Sequence, residues 1–256
     1  EVADVSVPHA RALMERFWPG PLTLVLPRLD RVPDLATSGL PTVAVRCPDH
    51  PVAREIIRLS GVPVAAPSAN PFGRLSPTRA SHVAAWLGDR VDYIVDGGPC
   101  SIGVESTVLD LSDDPPLILR PGGLAMELIR QVAPETRIFD RATTSPRAPG
   151  QLPSHYAPRR PLYLVDAGAL AAVRPGGRAV ALCFGAFSAN RVEEAGRFAR
   201  VVDLSPSEDP VEAAASLFNA LHLLDQGDWD ELWAERLPDE GLGRAVNDRL
   251  YKASVK

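Results

Sequence analysis

Lysine is absent from residues 1–140, where 13 arginines stand against 17 aspartates and glutamates. A P-loop needs a lysine behind its glycines, so that way of cradling phosphate is excluded there. Cysteine is equally sparse: Cys47, Cys100 and Cys183 share no metal-ligand spacing. Neither a disulfide framework nor a zinc site is therefore expected, and a reduced cytoplasmic protein is. No apolar run approaches the length that spans a bilayer, and no basic-then-apolar leader opens the sequence, so no membrane partner is expected. Internal repeats and low-complexity tracts are missing too. Residues 141–160 lack carboxylates altogether while carrying Arg141, Arg147, Arg159 and Arg160. They separate two acidic regions, and with their Pro, Ser and Thr content they read as an extended linker. That linker is either a solvated tether or a cationic strap lying across an anionic ligand. The formal net charge of −5 argues against a broad polyanion-binding surface, although a local basic patch could still contact RNA.

What is present is a globular composition: 256 residues, 45% hydrophobic, enough for one large domain or two ordinary ones. Helical spacing of Ala12, Leu13, Arg16 and Phe17 predicts a helix over 8–17, halted by Trp18-Pro19-Gly20-Pro21. Strands are predicted at 22–26 and 42–46, a short helix at 51–59, and a buried strand at 62–66. Ser76 stands where an N-cap belongs and Pro77 where the first helical residue belongs, so a helix is expected over 77–87. After 91–96 and the pair Gly97-Gly98 comes a hairpin, with strands at 104–111 and 117–120 around a turn at 112–116. Further on, strands at 162–165, 179–184 and 200–204 alternate with helices, the last at 210–224 and 243–254. Such alternation predicts a small parallel α/β domain. The expected organisation is a catalytic domain over 1–140, a basic Pro-rich linker over 141–160 and an accessory α/β domain over 161–256.

Polar residues collect where these strands end: Arg46, Ser68, Asn70, Ser106, Thr107 and Arg120. Ligands of open α/β sheets gather at such positions. The turn Pro67-Ser68-Ala69-Asn70-Pro71, beside a helix start, makes a seat for phosphate or carboxylate, or else an ordinary capped loop. Arg46 follows apolar and β-branched residues and is expected to be partly buried, facing an anionic ligand or an internal acid. Arg120 precedes Pro121-Gly122-Gly123, glycines that would let a ligand approach the backbone; the alternative is a strand-end arginine in solvent. The Gly-rich stretch 97–107 could wrap a small ligand, yet its order is not that of a dinucleotide fingerprint. Ser106 lacks a G-x-S-x-G elbow, and Glu105 reads as an orienting carboxylate rather than a base. His155-Tyr156 either stacks on a bound base or simply packs.

Taken together, Phe17-Trp18-Pro19-Gly20-Pro21-Leu22-Thr23, Thr42-Val43-Ala44-Val45-Arg46, the Pro67 to Asn70 turn, Ser76-Pro77-Thr78, Gly103-Val104-Glu105-Ser106-Thr107-Val108 and Leu119-Arg120-Pro121-Gly122 resemble the YrdC/YwlC-type threonylcarbamoyl-AMP synthases. Order and spacing match across 8–125. The residues from Pro149-Gly150-Gln151 to Pro158, Leu237-Pro238, Gly241-Leu242-Gly243 and Asn247-Asp248-Arg249-Leu250 resemble the long, two-domain form. The resemblance implies a YrdC-like twisted-sheet catalytic domain followed by a smaller Rossmann-like parallel α/β domain. It implies an enzyme that makes threonylcarbamoyl-AMP and pyrophosphate from L-threonine, bicarbonate and ATP, for modifying tRNA adenosine. By the same resemblance, Arg46 holds the threonine carboxylate, with Ala66 and Ser106 completing that pocket. Thr42, Ser68, Asn70, Ser76, Arg120 and Tyr156 bind ATP. Mg²⁺ comes with the triphosphate, while no metal ligand and no covalent nucleophile is expected from the protein. The implied partners are the substrates, a downstream threonylcarbamoyl transferase complex and, weakly or indirectly, tRNA.

The family also carries a Thr-Glu-x-Tyr-Gly-Leu-like motif and a Lys-x-Arg motif serving the phosphates, and neither occurs in these residues. The expectation is a fragment whose sheet exposes an unpaired edge and part of its core. Three rivals stay open: a double-stranded RNA or tRNA-binding module without turnover, carbamoyl transfer to another acceptor, and a nucleotide-sensing regulatory subunit. The acidic balance opposes the first and the tail domain opposes the second.

Overall fold

The computed structural model describes residues 1–139 and 154–255. In chain order its elements are α1 (Ala10–Phe17), β1 (Leu22–Pro27), α2 (Asp34–Thr37), β2 (Thr42–Val45), α3 (Pro51–Ser60), α4 (Ala80–Leu87), β3 (Thr107–Asp110), β4 (Leu117–Arg120), α5 (Met126–Ile129) and β5 (Arg137–Ile138). There follow β6 (Leu162–Val165), β7 (Ala179–Cys183), α6 (Ala186–Ala195), β8 (Arg200–Asp203), α7 (Pro210–Asp225), β9 (Glu231–Glu235) and α8 (Gly243–Ser254). They form two compact units. The first joins Glu1–Pro67 to the described residues from Glu105 to Phe139, and the second joins Ser68–Val104 to the described residues from Ser154 onward.

The first unit is a mixed sheet in the order β2-β1-β3-β4-β5. β1 runs antiparallel to β2 and parallel to β3, and β3 and β4 form the expected antiparallel hairpin. Side chains alternate along a strand, so Leu22, Leu24 and Leu26 of β1 share one face. There they meet Leu109, Leu111 and Ile118 beneath Ala10 and Leu13 of α1 and Ile129 of α5. Each fully buried leucine contributes about 1.5–3 kcal/mol. The opposite face carries the smaller cluster Val25, Val108 and Leu119.

The second unit is wholly parallel, in the order β6-β9-β7-β8. Helices cover both faces of such sheets, which is why β7, Ala-Val-Ala-Leu-Cys, is buried at every position. Ala189 and Val192 of α6 pack on Ala181 and Cys183, and α7 buries Leu217, Phe218 and Leu221. Among the described residues no helix is long and apolar enough to cross a membrane.

Two expectations are corrected, and one strand was not foreseen. Residues 62–66 form no strand, and Val62 and Val64 are 60% and 48% exposed. A strand apolar on both faces forms only when ladder partners flank it, and none of the described strands pairs with this segment. The helix expected from Pro77 begins at Ala80, with Arg79 extended at φ −144°. A helix from Pro77 would direct the carbonyls of Ser76 and Thr78 to the amides four residues on, but His222 takes the first and the Cys100 amide the second. Strand β9, Glu-Leu-Trp-Ala-Glu, sits between β6 and β7 but escaped prediction because a glutamate closes it at each end. Of the linker 141–160, residues 141–153 lie outside the described residues; further along, Ala157 bridges to Arg74.

Gly103, at φ +77°, shows what the Gly-rich stretch accomplishes at this point. A Cβ there would overlap the Ala214 carbonyl and the Ala215 backbone, so the loop end lies directly on α7. Gly98, at φ +87°, has open space around it. Gly103→Ala should therefore destabilise the protein by about 2–4 kcal/mol, against about 1–2 kcal/mol for Gly98→Ala. Urea unfolding midpoints compare the two; equal losses would disprove the backbone contact.

Candidate active site

In the first unit the strand register draws a polar line across one end of the sheet. Thr23 pairs with Val108, and Val108 with Arg120. On the other side Leu24 pairs with Val45, which sets Arg46 beside Thr23, one residue past β2. Four strands at ordinary spacing put Arg46 and Arg120 about 14 Å apart along this line. Arg120 is buried, and its Nη2 donates to the Ser106 carbonyl at 2.9 Å and to the Ser106 hydroxyl at 3.3 Å. The Ser106 hydroxyl lies 2.7 Å from that of Thr23. Thr107 donates to the Leu124 carbonyl at 2.6 Å and accepts from the Leu124 amide at 3.0 Å. A Cβ on Gly122 would collide with the backbone of residues 105–107, and the Gly123 amide donates to the Glu105 carbonyl at 2.8 Å. The glycine pair thus admits the protein's own backbone rather than a ligand.

Arg46 departs from expectation in being exposed. β2 is the outermost described strand of its sheet, and Ala44, on the same face as Arg46, is exposed as well. Nε of Arg46 donates to the Gly20 carbonyl at 2.8 Å, and the Gly20 amide donates to the Cys47 carbonyl at 2.9 Å. The Trp-Pro-Gly-Pro turn is thereby clipped to the end of β2. Thr42 opens that strand, half-buried, and Ala66 is exposed in the unpaired 62–66 segment.

The second unit holds Ser68, Asn70, Ser76 and Tyr156. Ser68 is exposed. The Asn70 amide donates to the carbonyls of Pro71 and Arg74, at 3.2 and 3.0 Å. The Ala157 amide donates to the Gly73 carbonyl at 2.8 Å, tying this turn to the residue after Tyr156. Tyr156 is packed: it is 1% exposed, lies 5.5 Å from the Phe218 ring, and has the Arg249 guanidinium over its ring at 5.2 Å. Arg249 is itself fully buried, with Nη1 2.6 Å from an Asp248 carboxylate oxygen. Asn247 holds both backbone groups of Leu237 at 2.9 Å. The tail motif around Asn247 is therefore the mount on which Tyr156 rests.

Two histidines escaped sequence reasoning. His222 Nε2 lies 3.0 Å from the carbonyl of the buried Ser76, and the Thr78 amide donates to His82 Nδ1 at 3.2 Å. Their rings stack with centroids 3.8 Å apart, and Trp86 meets His222 edge-on at 5.5 Å. The Thr78 bond requires His82 to be neutral, since its Nδ1 must accept; the Ser76 bond requires only that His222 Nε2 carry a proton. Burial lowers the pKa of both; that of His82 falls to about 4, with the neighbouring His222 and Arg79 adding to the effect. The only clue in the sequence was a histidine four residues after Thr78 and a lone one inside an apolar helix.

At the strand ends of the parallel sheet the protein's own carboxylates fill the place where a ligand would be sought. Glu235, 3% exposed, accepts from the amides of Gly168 at 2.8 Å and Phe184 at 2.9 Å and from the Ser188 hydroxyl at 2.5 Å. Asp203 accepts from the amides of Gly185 and Ser205, each at 3.0 Å. Burial, followed by these two acids, pushes the Cys183 thiol up to about 12. Among the described residues, no three His, Cys, Asp or Glu side chains converge on a metal site.

Two family models match the chain. One, of the Sua5, YciO and YrdC proteins and described as telomere recombination, covers residues 1–122; the other, the threonylcarbamoyl-AMP synthase C-terminal domain, covers 124–255. The chain is 42% identical to a threonylcarbamoyl-AMP synthase of Bacillus subtilis and to one of Pyrococcus abyssi, in each case over 99% of this chain and 76% of the relative. Among solved structures it resembles P. abyssi Sua5 complexed with L-threonine, with a TM-score of 0.82 and 38% identity over 99% of this chain and 76% of that one.

The histidine pair sets a pH dependence. Unfolded, both rings take up protons near their ordinary pKa of 6.5, whereas folded His82 resists until about 4. Stability should be full above that ordinary value and fall as pH drops from 6.5 toward 4. Denaturant unfolding at about pH 7, 5.5 and 4.5 measures it. His82→Asn should flatten the fall, and an equally steep fall in that variant would contradict the assignment.

Proposed function

The chain belongs to the threonylcarbamoyl-AMP synthase family, and from that premise we propose that it joins L-threonine, bicarbonate and ATP into threonylcarbamoyl-AMP and pyrophosphate. The threonine nitrogen bonds to the carbon of bicarbonate, water leaves, and a carbamate results. A carbamate oxygen then attacks the α-phosphorus, the bond from that phosphorus to the bridging oxygen breaks, and pyrophosphate departs. No protein nucleophile takes part, so catalysis consists of positioning and charge stabilisation.

In the first unit, Arg46 takes the threonine carboxylate through its guanidinium fork, and Ser106 and Ala66 complete that pocket. Thr42 and Arg120 serve the nucleotide. In the second unit, Ser68, Asn70, Ser76 and Tyr156 are assigned to the nucleotide. Mg²⁺ would arrive on the triphosphate and neutralise phosphate charge; among the described residues no cluster of three His, Cys, Asp or Glu would hold it. Catalysis is assigned to residues 1–140 and an accessory role to 161–256, with 141–160 as the linker between. The product would pass to a threonylcarbamoyl transferase complex acting on tRNA in the cytoplasm, with direct tRNA contact weak.

The observation that best supports this reading is the Arg46–Thr23–Val108–Arg120 line, in which hydroxyls lie between two guanidinium-bearing positions. Arg46→Ala should lower threonine-dependent pyrophosphate release on the order of 100-fold, chiefly through threonine affinity, while ATP binding persists. Calorimetric titration with each substrate separates the two effects. Unchanged threonine affinity in the variant would overturn the assignment of Arg46.

A further inference from the structure

We infer that α7, in the region matched by the C-terminal family model, is a positioning element for the nucleotide, and that His222 and His82 deliver this role by fixing the backbone of Ser76 and Thr78. The inference rests on the reading of Ser76 as a nucleotide contact and adds what holds it in place.

One face of α7 makes every contact required. The Gly103 backbone lies on Ala214 and Ala215, Phe218 packs against Tyr156, Asn219 accepts from Arg79 Nε at 3.1 Å, and His222 reaches the Ser76 carbonyl. Positions 215, 218, 219 and 222 are three or four residues apart, the spacing that lines up a single helix face. That face therefore touches the end of the Gly-rich loop, the tyrosine assigned to ATP, the residue before α4 and the segment carrying Ser76.

The histidines complete the hold from both sides. His222 fixes the carbonyl of Ser76, His82 fixes the amide of Thr78 two residues on, and the stacked rings lock each other's orientation. The Cys100 amide takes the Thr78 carbonyl at 2.9 Å. The Ser76 carbonyl and both backbone groups of Thr78 are thus committed to protein partners, so the backbone that carries these two side chains is fixed in place. Thr78 is 5% exposed, and among the described residues its hydroxyl has no hydrogen-bond partner. A buried hydroxyl left this way is costly, and an ordered water or a ligand atom is what satisfies such a group. Facing the histidines are Arg79, Trp86, Asn219 and Asp225, of which Arg79 opposes protonation of His82 and Asp225 favours that of His222.

Steady-state kinetics on the full chain tests the inference, with ATP and threonine varied separately. His222→Leu and His82→Leu should each raise KM for ATP about tenfold, leaving KM for threonine and kcat at saturation within about twofold. His222→Gln places an amide N–H near the Ser76 carbonyl and His82→Asn places an acceptor near the Thr78 amide, so each should recover most of the loss. Should a leucine variant fail to fold, Asn219→Ala removes the Arg79 contact more gently and should raise KM for ATP about threefold. A folded His222→Leu with unchanged KM for ATP overturns the inference, as does a uniform loss in kcat and both KM values. Ser76→Ala separates the two levels: if it raises KM for ATP while the histidine variants do not, only the positioning role falls. If Ser76→Ala also has no effect, the reading of Ser76 as a nucleotide contact falls with it.

Discussion

A guanidinium withdrawn from water is costly unless its N–H groups find acceptors, and Arg120 meets that demand in the carbonyl and hydroxyl of Ser106. The geometry around it follows. Ser106 can serve Arg120 only if the residues entering β3 are drawn against those leaving β4, which Gly122 permits by having no side chain. Thr107 closes the same junction through Leu124, and Thr23 extends it to β1 through the Ser106 hydroxyl. Strand ends from three parts of the sequence are thus held by a few short polar contacts. Substrate groups placed there would meet donors already oriented, which is the form of catalysis that adenylate formation requires.

Much of the architecture was legible in the sequence, and the failures have physical causes. Periodicity located β6 and α8 to the residue, because β6, Leu-Tyr-Leu-Val, is a short apolar run and α8 opens at Gly243 and carries Ala245, Val246, Leu250 and Ala253 on a buried face. Strand β9 defeated the same approach, since its buried Glu235 is stabilised by three distant donors that no local pattern reveals. Residues 62–66 looked like a core strand, but ladder partners are a property of the whole chain. Of the site, the Ser106 and Arg120 neighbourhood was foreseeable from strand ends. The exposure of Arg46 depended on β2 lying outermost among the described strands, and the two histidines depended on α7 meeting a segment some 140 residues earlier.

The boundary between the family models does not coincide with the boundary between compact units. Residues 68–104 fall within the span of the first model, yet they pack with the second unit. Gly103, Arg79 and Ser76 attach there to one helix, α7, while Gly73 and Arg74 are joined to Ala157. Tyr156 is held on the same helix by Phe218 and on α8 by Arg249. The region matched by the second model thereby acquires a structural reason to accompany residues 68–104 of the first.

Glu235 and Asp203 carry one more implication. Parallel sheets of this type commonly acquire nucleotide sites where their strands end, because helix N-termini and loop amides there attract phosphate. In this unit those amides already solvate built-in carboxylates, and an incoming polyphosphate would meet like charge. The loop amides that end this second sheet are thus spoken for by the chain's own acids.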